Sequence, residues 1–144
     1  MYWIIAISII VFIVLLLSFT KTALKIRALA KTSKILHDTS LRNENLLIEP
    51  YWGSFRGATE KYGKIKCDGI IALTDKNLVF EKIAGDSIEI PVRKIVSSSM
   101  EKSFLGESRP GQDYLVLCLD DGTQVGFIVK DANEWMRHLP EKKN

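Results

Sequence analysis

The side chains able to act as catalytic bases, nucleophiles or metal ligands are few and scattered. Of the two histidines, His37 lies in the region after the apolar segment and His138 near the C-terminus, and Cys67 and Cys118 belong to no CxxC or HxxxH pattern. An enzyme needs an acid, a base or a nucleophile that converge on one site. The sequence offers no such constellation, so we expect no enzyme, no metal site and no cofactor.

Two polar motifs resemble functional sequences only at first sight. Residues 97–99 are three consecutive serines outside any Gly-x-Ser-x-Gly context, which favours a polar strand end over a nucleophile. Asp120, Asp121 and Gly122 lack the later ligands of a calcium loop. They stand between two alternating runs, 114–119 and 124–129, and predict a hairpin with a type I′ turn at Asp121-Gly122.

The charged residues divide the chain into two parts. Residues 1–43 hold six Lys or Arg against one acid, whereas residues 44–144 hold fourteen basic and sixteen acidic residues. The C-terminal part is therefore slightly acidic, which argues against a nucleic-acid-binding module.

The N-terminal part begins with an apolar segment, residues 2–19, that contains no charge, Pro or Gly. As a helix it spans about 27 Å, close to the roughly 30 Å hydrocarbon core of a bilayer. The alternative is a cleaved signal peptide, but no basic residue precedes the run and no small-x-small cleavage site follows it. We expect an uncleaved transmembrane helix over residues 1–20.

A basic flank follows this helix, and it predicts the topology. By the positive-inside rule, the flank places the N-terminus outside and the C-terminal domain in the cytoplasm. The flank either sets topology alone or also attracts an anionic membrane surface, since each cation contributes about 1 kcal/mol there. Residues 21–43 are expected to be a helical stalk that ends at 37–40, with a short linker. The basic flank consists of Lys21, Lys25, Arg27, Lys31 and Lys34.

From Glu44 onward the pattern is mainly β. Short alternating segments with turns between them predict an antiparallel sheet with one wet face that carries Glu81 and Glu89, and Pro91 marks a strand end or an edge. Residues 103–112 read as a loop. Cys67 and Cys118 are expected to be free thiols on strands.

The last element is a helix with recognisable ends. Asp131 is the expected N-cap with Glu134 three residues later, and Pro140 ends the helix. Trp135 and Leu139 share one face, and we expect Trp135 in the core.

The order of these elements and two local motifs resemble the pleckstrin-homology (PH) superfold. GIIALTDKNLVF (residues 69–80) resembles the G-x-L-x-L-T-x-x-R-L-x-F stretch of GRAM and bacterial PH-like domains, and IEIPVRKI (residues 88–95) resembles their I-P-L-x-x-I strand. Asn77 departs from the basic residue usual at its position. The resemblance covers residues 44–139 and implies a partly open β-barrel of about seven antiparallel strands, closed by the C-terminal helix.

That resemblance also directs attention to candidate binding residues in the domain, residues 44–144. The basic cluster through which phosphoinositide-binding PH domains hold their ligand is diluted here by Glu60 and Tyr62, although a lipid headgroup stays open as a ligand. Aromatic residues in glycine-rich or polar segments either contact a partner or cover one end of the barrel. The candidates are Arg56, Lys61, Lys64, Lys66, Trp52, Phe55 and Phe104.

The sequence therefore predicts a single-pass membrane protein with a PH/GRAM-like binding module at the cytoplasmic face. We expect an adaptor or scaffold that binds a protein, a peptide or an anionic lipid headgroup. The alternative is a structural accessory subunit of a larger membrane assembly, in which the transmembrane helix makes the contact.

Overall fold

The structure begins with one unbroken helix, α1 (Tyr2–Leu41), of forty residues. It is a computed structural model that describes residues 2–141, so Met1 and residues 142–144 of the predicted anchor and domain lie outside the described residues. The helix is long and apolar enough to cross a membrane, and none of its most apolar stretch is buried in the protein. The predicted linker at residues 37–40 is wrong, because these residues stay helical and Thr39 is buried against the domain.

A β domain and a short helix follow α1. Up to residue 141, the domain contains nine strands in chain order, a 3-10 turn (Val92–Lys94) after the fourth, and a helix after the ninth, α2 (Ala132–His138). The strands are β1 (Leu46–Ala58), β2 (Cys67–Thr74), β3 (Asn77–Lys82), β4 (Ser87–Pro91), β5 (Ile95–Glu101), β6 (Ser103–Phe104), β7 (Glu107–Ser108), β8 (Tyr114–Leu119) and β9 (Gln124–Ile128).

Seven of these strands form one antiparallel sheet in the order β4-β3-β2-β1-β9-β8-β5. β4 and β5 are its two edges, and no pairing between them closes the sheet within residues 2–141. β4 ends at Pro91, which fits a residue that has no N–H to donate to a ladder. One core cluster takes residues from β1 to β5, from β8 and β9, and from α2. One core therefore extends over the sheet from edge strand to edge strand.

The opposite face of β2 and β3 is covered by α1, which corrects the expectation of a wet face there. Ile35 of α1 is 2% exposed and packs against Ile70, Ala72 and Val79. In the register, Ala72 pairs with Val79 and Ile70 pairs with Glu81, so these side chains share that face. Glu81 is consequently buried, because the helix lies over it.

Residues 103–112, predicted as a loop, contain the hairpin β6–β7. Its Phe104 is buried with Tyr114 and Val116 of β8. The ring lies so close to Gly126 that a Cβ there would sit 2.3 Å from it, so glycine is required at this position. The hairpin thus covers a second patch of the outer face.

The C-terminal helix agrees with the sequence prediction. Asp131 accepts a hydrogen bond from the backbone N–H of Glu134, at 3.2 Å, as an N-cap does. Trp135 is completely buried, and its indole N–H donates to the Tyr51 hydroxyl at 2.6 Å. The α2 helix therefore packs against the main core of the sheet through Trp135.

The β8–β9 hairpin is present, but its turn differs from the prediction. A type I′ turn needs positive φ at both central residues, and here Gly122 alone has it, at +84°. The Gly122 N–H donates to the Leu119 carbonyl at 3.0 Å. The turn is therefore of the three-residue kind, in which glycine occupies the left-handed position.

Candidate functional site

Two lysines of the basic flank contact the β domain. The ammonium groups of Lys31 and Lys34 lie 3.2 and 2.5 Å from the carboxylate of Glu81, whose side chain is only 3% exposed. A carboxylate buried without a partner is strongly unfavourable, so these two cations compensate for its burial. The hydrogen bond to Glu81 raises the pKa of Lys34 above its ordinary value.

The five cations of the basic flank lie at different distances from the apolar segment. For a helix along the bilayer normal, Lys34 lies about 22 Å beyond Phe19, whereas Lys21 lies about 3 Å and Arg27 about 12 Å beyond it. The headgroup layer is roughly 5–8 Å thick, and the Debye length at physiological ionic strength is about 8 Å. For a helix in that position, Lys21, Lys25 and Arg27 are the cations of the basic flank that lie within this combined distance.

The second group of basic residues converges on Glu107 in β7. Arg56 and Lys66 both donate to its carboxylate, and the Arg109 Nε donates at 2.8 Å. The Arg56 side chain is 8% exposed, and its Nε has no hydrogen-bond partner. These three hydrogen bonds, that of Arg56 above all, lower the pKa of Glu107 from 4.5 to about 2. Glu107 is therefore ionised at neutral pH and occupies the place where an anion would bind.

The remaining two basic candidates differ from each other. Lys61 forms an ion pair with Asp121 at 2.5 Å, which together with backbone hydrogen bonding lowers the pKa of that carboxyl group. Lys64 is exposed and forms no ion pair within residues 2–141. The four basic residues therefore do not form an open cationic pocket in this conformation.

The aromatic candidates also differ in their placement. Phe55 is completely buried against Phe80 and Phe127, so its prediction as a contact residue is wrong. Phe104 is 6% exposed beneath its hairpin and is equally unable to meet a partner. Trp52 is 46% exposed and stays a candidate.

Trp52 borders an open groove of about 800 Å³, which we call the Trp52 groove. Its lining includes the middle of β1 and the segment from the end of β9 to the first residues of α2. Met100 and the loop 111–113 complete its lining. The β1–β9 pairing stops at Ser54 and Ile128, where β9 itself ends, so the groove lies beside the last pair of these two strands. Sequence reasoning found Trp52 but not the groove, whose walls are far apart along the chain.

The remaining chemistry-bearing residues stay separate. Cys67 and Cys118 are free thiols, as predicted. No group of three or more His, Cys, Asp or Glu in residues 2–141 is arranged to hold a metal ion.

The fold and these surfaces define a helix-tethered antiparallel β domain that has an open groove beside Trp52 and an internally neutralised basic cluster around Glu107. No family model matches the chain, and no curated protein matches it. One similar solved structure is the crystal structure of the C-terminal domain of an unknown protein from Leishmania infantum. It is 13% identical, covers 72% of this chain and 90% of that chain, and has a TM-score of 0.47. At that TM-score the likeness supports no conclusion about fold family or function.

Proposed function

We propose that this chain is a membrane-anchored binding module of the PH-like type, which presents a protein- or peptide-binding groove at the cytoplasmic face. The observation that carries the proposal is the continuity of α1. The same helix provides an apolar segment long enough to span a bilayer and, beyond its flank, packs against the sheet through Ile35. A domain attached in this way is held close to the membrane at a fixed orientation.

The topology of the sheet supports the PH-like assignment. Seven antiparallel strands share one core, and a C-terminal helix carrying a buried tryptophan packs against that core. The two motifs at residues 69–80 and 88–95 imply the same order of elements. A single core shared by both edge strands supports a sheet that curves as a partly open barrel does.

The position of the unpaired cations supports a cytoplasmic domain. Lys21, Lys25 and Arg27 directly follow the apolar segment and form no ion pair within the described part of the chain. Basic residues this close to a membrane helix favour the cytoplasmic side.

We prefer a protein or peptide ligand to a lipid because the basic cluster around Glu107 and the Trp52 groove differ in how accessible they are. A lipid phosphate at Arg56 and Lys66 has to displace Glu107, which is ionised at neutral pH. The Trp52 groove needs no such displacement and carries a half-exposed tryptophan, a residue type enriched at interface hot spots.

The test is recovery of bound protein by the full-length chain. Membranes are chemically cross-linked, extracted in mild detergent and purified through the tagged chain, and partners are quantified by mass spectrometry. We expect Trp52→Ala to lower recovery of the partner by about tenfold or more, the loss typical of a hot-spot residue. Ile65→Ala is the matched control, because Ile65 is 83% exposed and lies outside the groove. Equal recovery by both variants would reject the groove.

The accessory-subunit alternative has one specific observation in its favour. Ile26 and Leu29 of α1 are 62% and 67% exposed, beyond the apolar segment and away from the domain. An accessory subunit should co-purify in fixed stoichiometry without cross-linking and irrespective of Trp52. A binding module that is purified without cross-linking should be recovered mostly without its ligand.

A further inference from the structure

The strands packed against α1 run alongside it, so they have one end near the apolar segment and one end away from it. Asn45 comes four residues after Leu41, the last residue of α1, and its backbone N–H donates to the Asp75 carboxylate at 3.0 Å. The turn between β2 and β3, which contains Asp75, therefore lies at the far end of α1. Nearer to the apolar segment, the Lys34 ammonium contacts Glu81 toward the other end of β3.

The lengths of chain between these contacts show how closely β3 follows the helix axis. From Lys34 to Leu41 the helix rises about 10 Å, at 1.5 Å per residue. Just beyond Leu41, Glu44 accepts a hydrogen bond from the side-chain amide of Asn77 at 3.0 Å. From Asn77 to Glu81 the strand spans about 13 Å, at 3.3 Å per residue. Because the two lengths are similar, β3 and its neighbour β2 run nearly along α1.

The start of β2 therefore points back toward the apolar segment. The loop that leads into it, residues 59–66, connects β1 to β2 at this end. Ile70 pairs with Glu81, and Ile65 precedes Ile70 by five residues, so Ile65 lies up to about 16 Å nearer to the apolar segment than Glu81 does. Since Lys34 lies about 22 Å beyond the apolar segment, Ile65 comes within about 10 Å of its end, measured along the helix axis.

The surface at this end of the domain is apolar at its centre. Ile65 is 83% exposed, more than any other large apolar side chain described after α1. Leu105, between β6 and β7, is 44% exposed. It lies beside the loop, because a Cβ at Gly57 would be 3.2 Å from the Leu105 side chain and 3.3 Å from the Lys64 carbonyl oxygen. We call Lys64, Ile65 and Leu105 the Ile65 tip.

We infer that the Ile65 tip contacts the headgroup layer of the bilayer that α1 spans. The inference rests on the proposed membrane anchoring. The lipid surface is the occupant that the geometry favours, because the packing of α1 on the sheet holds the tip beside that surface in every inserted copy. Exposed aliphatic side chains next to lysine are also the combination that binds at the headgroup boundary of anionic membranes.

The charges around the tip make this contact mainly apolar. The loop holds Glu60 against Lys61, Lys64 and Lys66. Lys61 and Lys66 already form ion pairs with acids of the domain, whereas Lys64 pairs with no described residue. Ile65 and the neighbouring leucine therefore supply most of the contact, and Lys64 adds attraction to anionic lipids.

A contact at the Ile65 tip would leave the Trp52 groove open to a partner. Trp52 pairs with Ile70, which in turn pairs with Glu81, so the groove lies at about the level of Glu81 and clear of the headgroups. The headgroup layer is polar and hydrated, unlike the hydrocarbon core, so Ile65 stays within reach of water-soluble reagents there.

The experiment is fluorescence quenching of the full-length chain in vesicles of phosphatidylcholine and phosphatidylserine, with a quencher on lipid headgroups of both leaflets. Cys67→Ser and Cys118→Ser provide the background, and one fluorophore is attached at Ile65→Cys, Leu105→Cys or Lys76→Cys. Lys76 is the matched control, because it is exposed in the β2–β3 turn at the far end of α1. We expect several-fold stronger quenching at Ile65→Cys and Leu105→Cys than at Lys76→Cys.

The outcomes separate this inference from the proposed anchoring. Quenching is scored only on chains that stay in the vesicles after alkaline extraction. Equal quenching at the three positions, no quenching at the tip, or the strongest quenching at Lys76→Cys overturns the headgroup contact and leaves the anchoring intact. A chain that alkali releases from the vesicles overturns both.

Discussion

Replacement of Ile35 by alanine tests whether the membrane-proximal helix is part of the folded domain. Ile35 is 2% exposed and lies among Ile70, Ala72 and Val79. The substitution removes three buried carbon atoms, each worth about 0.8 kcal/mol on transfer from water, and it leaves a cavity. Alanine returns about 0.4 kcal/mol through its higher helix propensity. We expect a net loss of roughly 2–3 kcal/mol in the free energy of unfolding.

The assay is urea denaturation of a fragment of residues 22–144, which omits the apolar segment but retains the helix–sheet contact. The matched control is Leu41→Ala, since Leu41 is on the same helix but 72% exposed. Its effect should stay within about 0.5 kcal/mol. A fragment of residues 44–144, the predicted domain, exposes Ile70 and Val79 and should be less stable than residues 22–144. If Ile35→Ala unfolds at the same urea concentration as Leu41→Ala, then α1 does not pack against the sheet.

Three further substitutions test the other buried groups by the same urea assay. Trp135→Ala should cost about 3–5 kcal/mol, because it removes a fully buried ring, and no loss would place that ring outside the core. Replacing Lys31 and Lys34 together by methionine should lower the free energy of unfolding by about 1–3 kcal/mol, because the Glu81 carboxylate is left buried without a cation. Adding Glu81→Gln should restore part of that loss. A triple variant no more stable than the double variant would contradict this reasoning. Glu107 has a lowered pKa, so its stabilisation is complete above pH 4.5 and is lost as pH falls toward about 2; Glu107→Gln should lack this pH dependence, and an identical pH profile would refute it.

Local signals were enough to predict several elements of the fold. The uncharged run at residues 2–19, the Asp-Gly turn between alternating strands, and the cap at Asp131 each act over a few residues. Their physical effects are local too, which is why the helices and the β8–β9 hairpin appear where the sequence indicated.

The packing of α1 on the sheet was missed because its signal is spread over distant segments. Ile70, Ala72 and Val79 put apolar side chains on the face that should be wet if the sheet were half exposed. That face needed a cover, and α1 carries Ala28 and Ile35 seven residues apart, on one face of the helix. Read together, these two patterns would have predicted the contact.

The candidate site was predicted only in part for the same reason. Arg56 and Lys66 looked available, because their partner Glu107 stands more than forty residues later in a segment predicted to be a loop. Phe55 looked exposed beside glycines, yet it points into the core with Phe80 and Phe127. Side-chain direction and long-range ion pairing depend on the register of the sheet, which short motifs do not determine.

The most direct test of the account is labelling of Ile65→Cys by a membrane-impermeant thiol reagent in intact cells. The position is 83% exposed, so the reagent reaches it whenever it reaches the domain. The background is Cys67→Ser with Cys118→Ser, and permeabilised cells provide the reference for full labelling. A cytoplasmic domain anchored by α1 predicts labelling only after permeabilisation. Labelling in intact cells would contradict the anchored, cytoplasmic domain on which the proposed function depends.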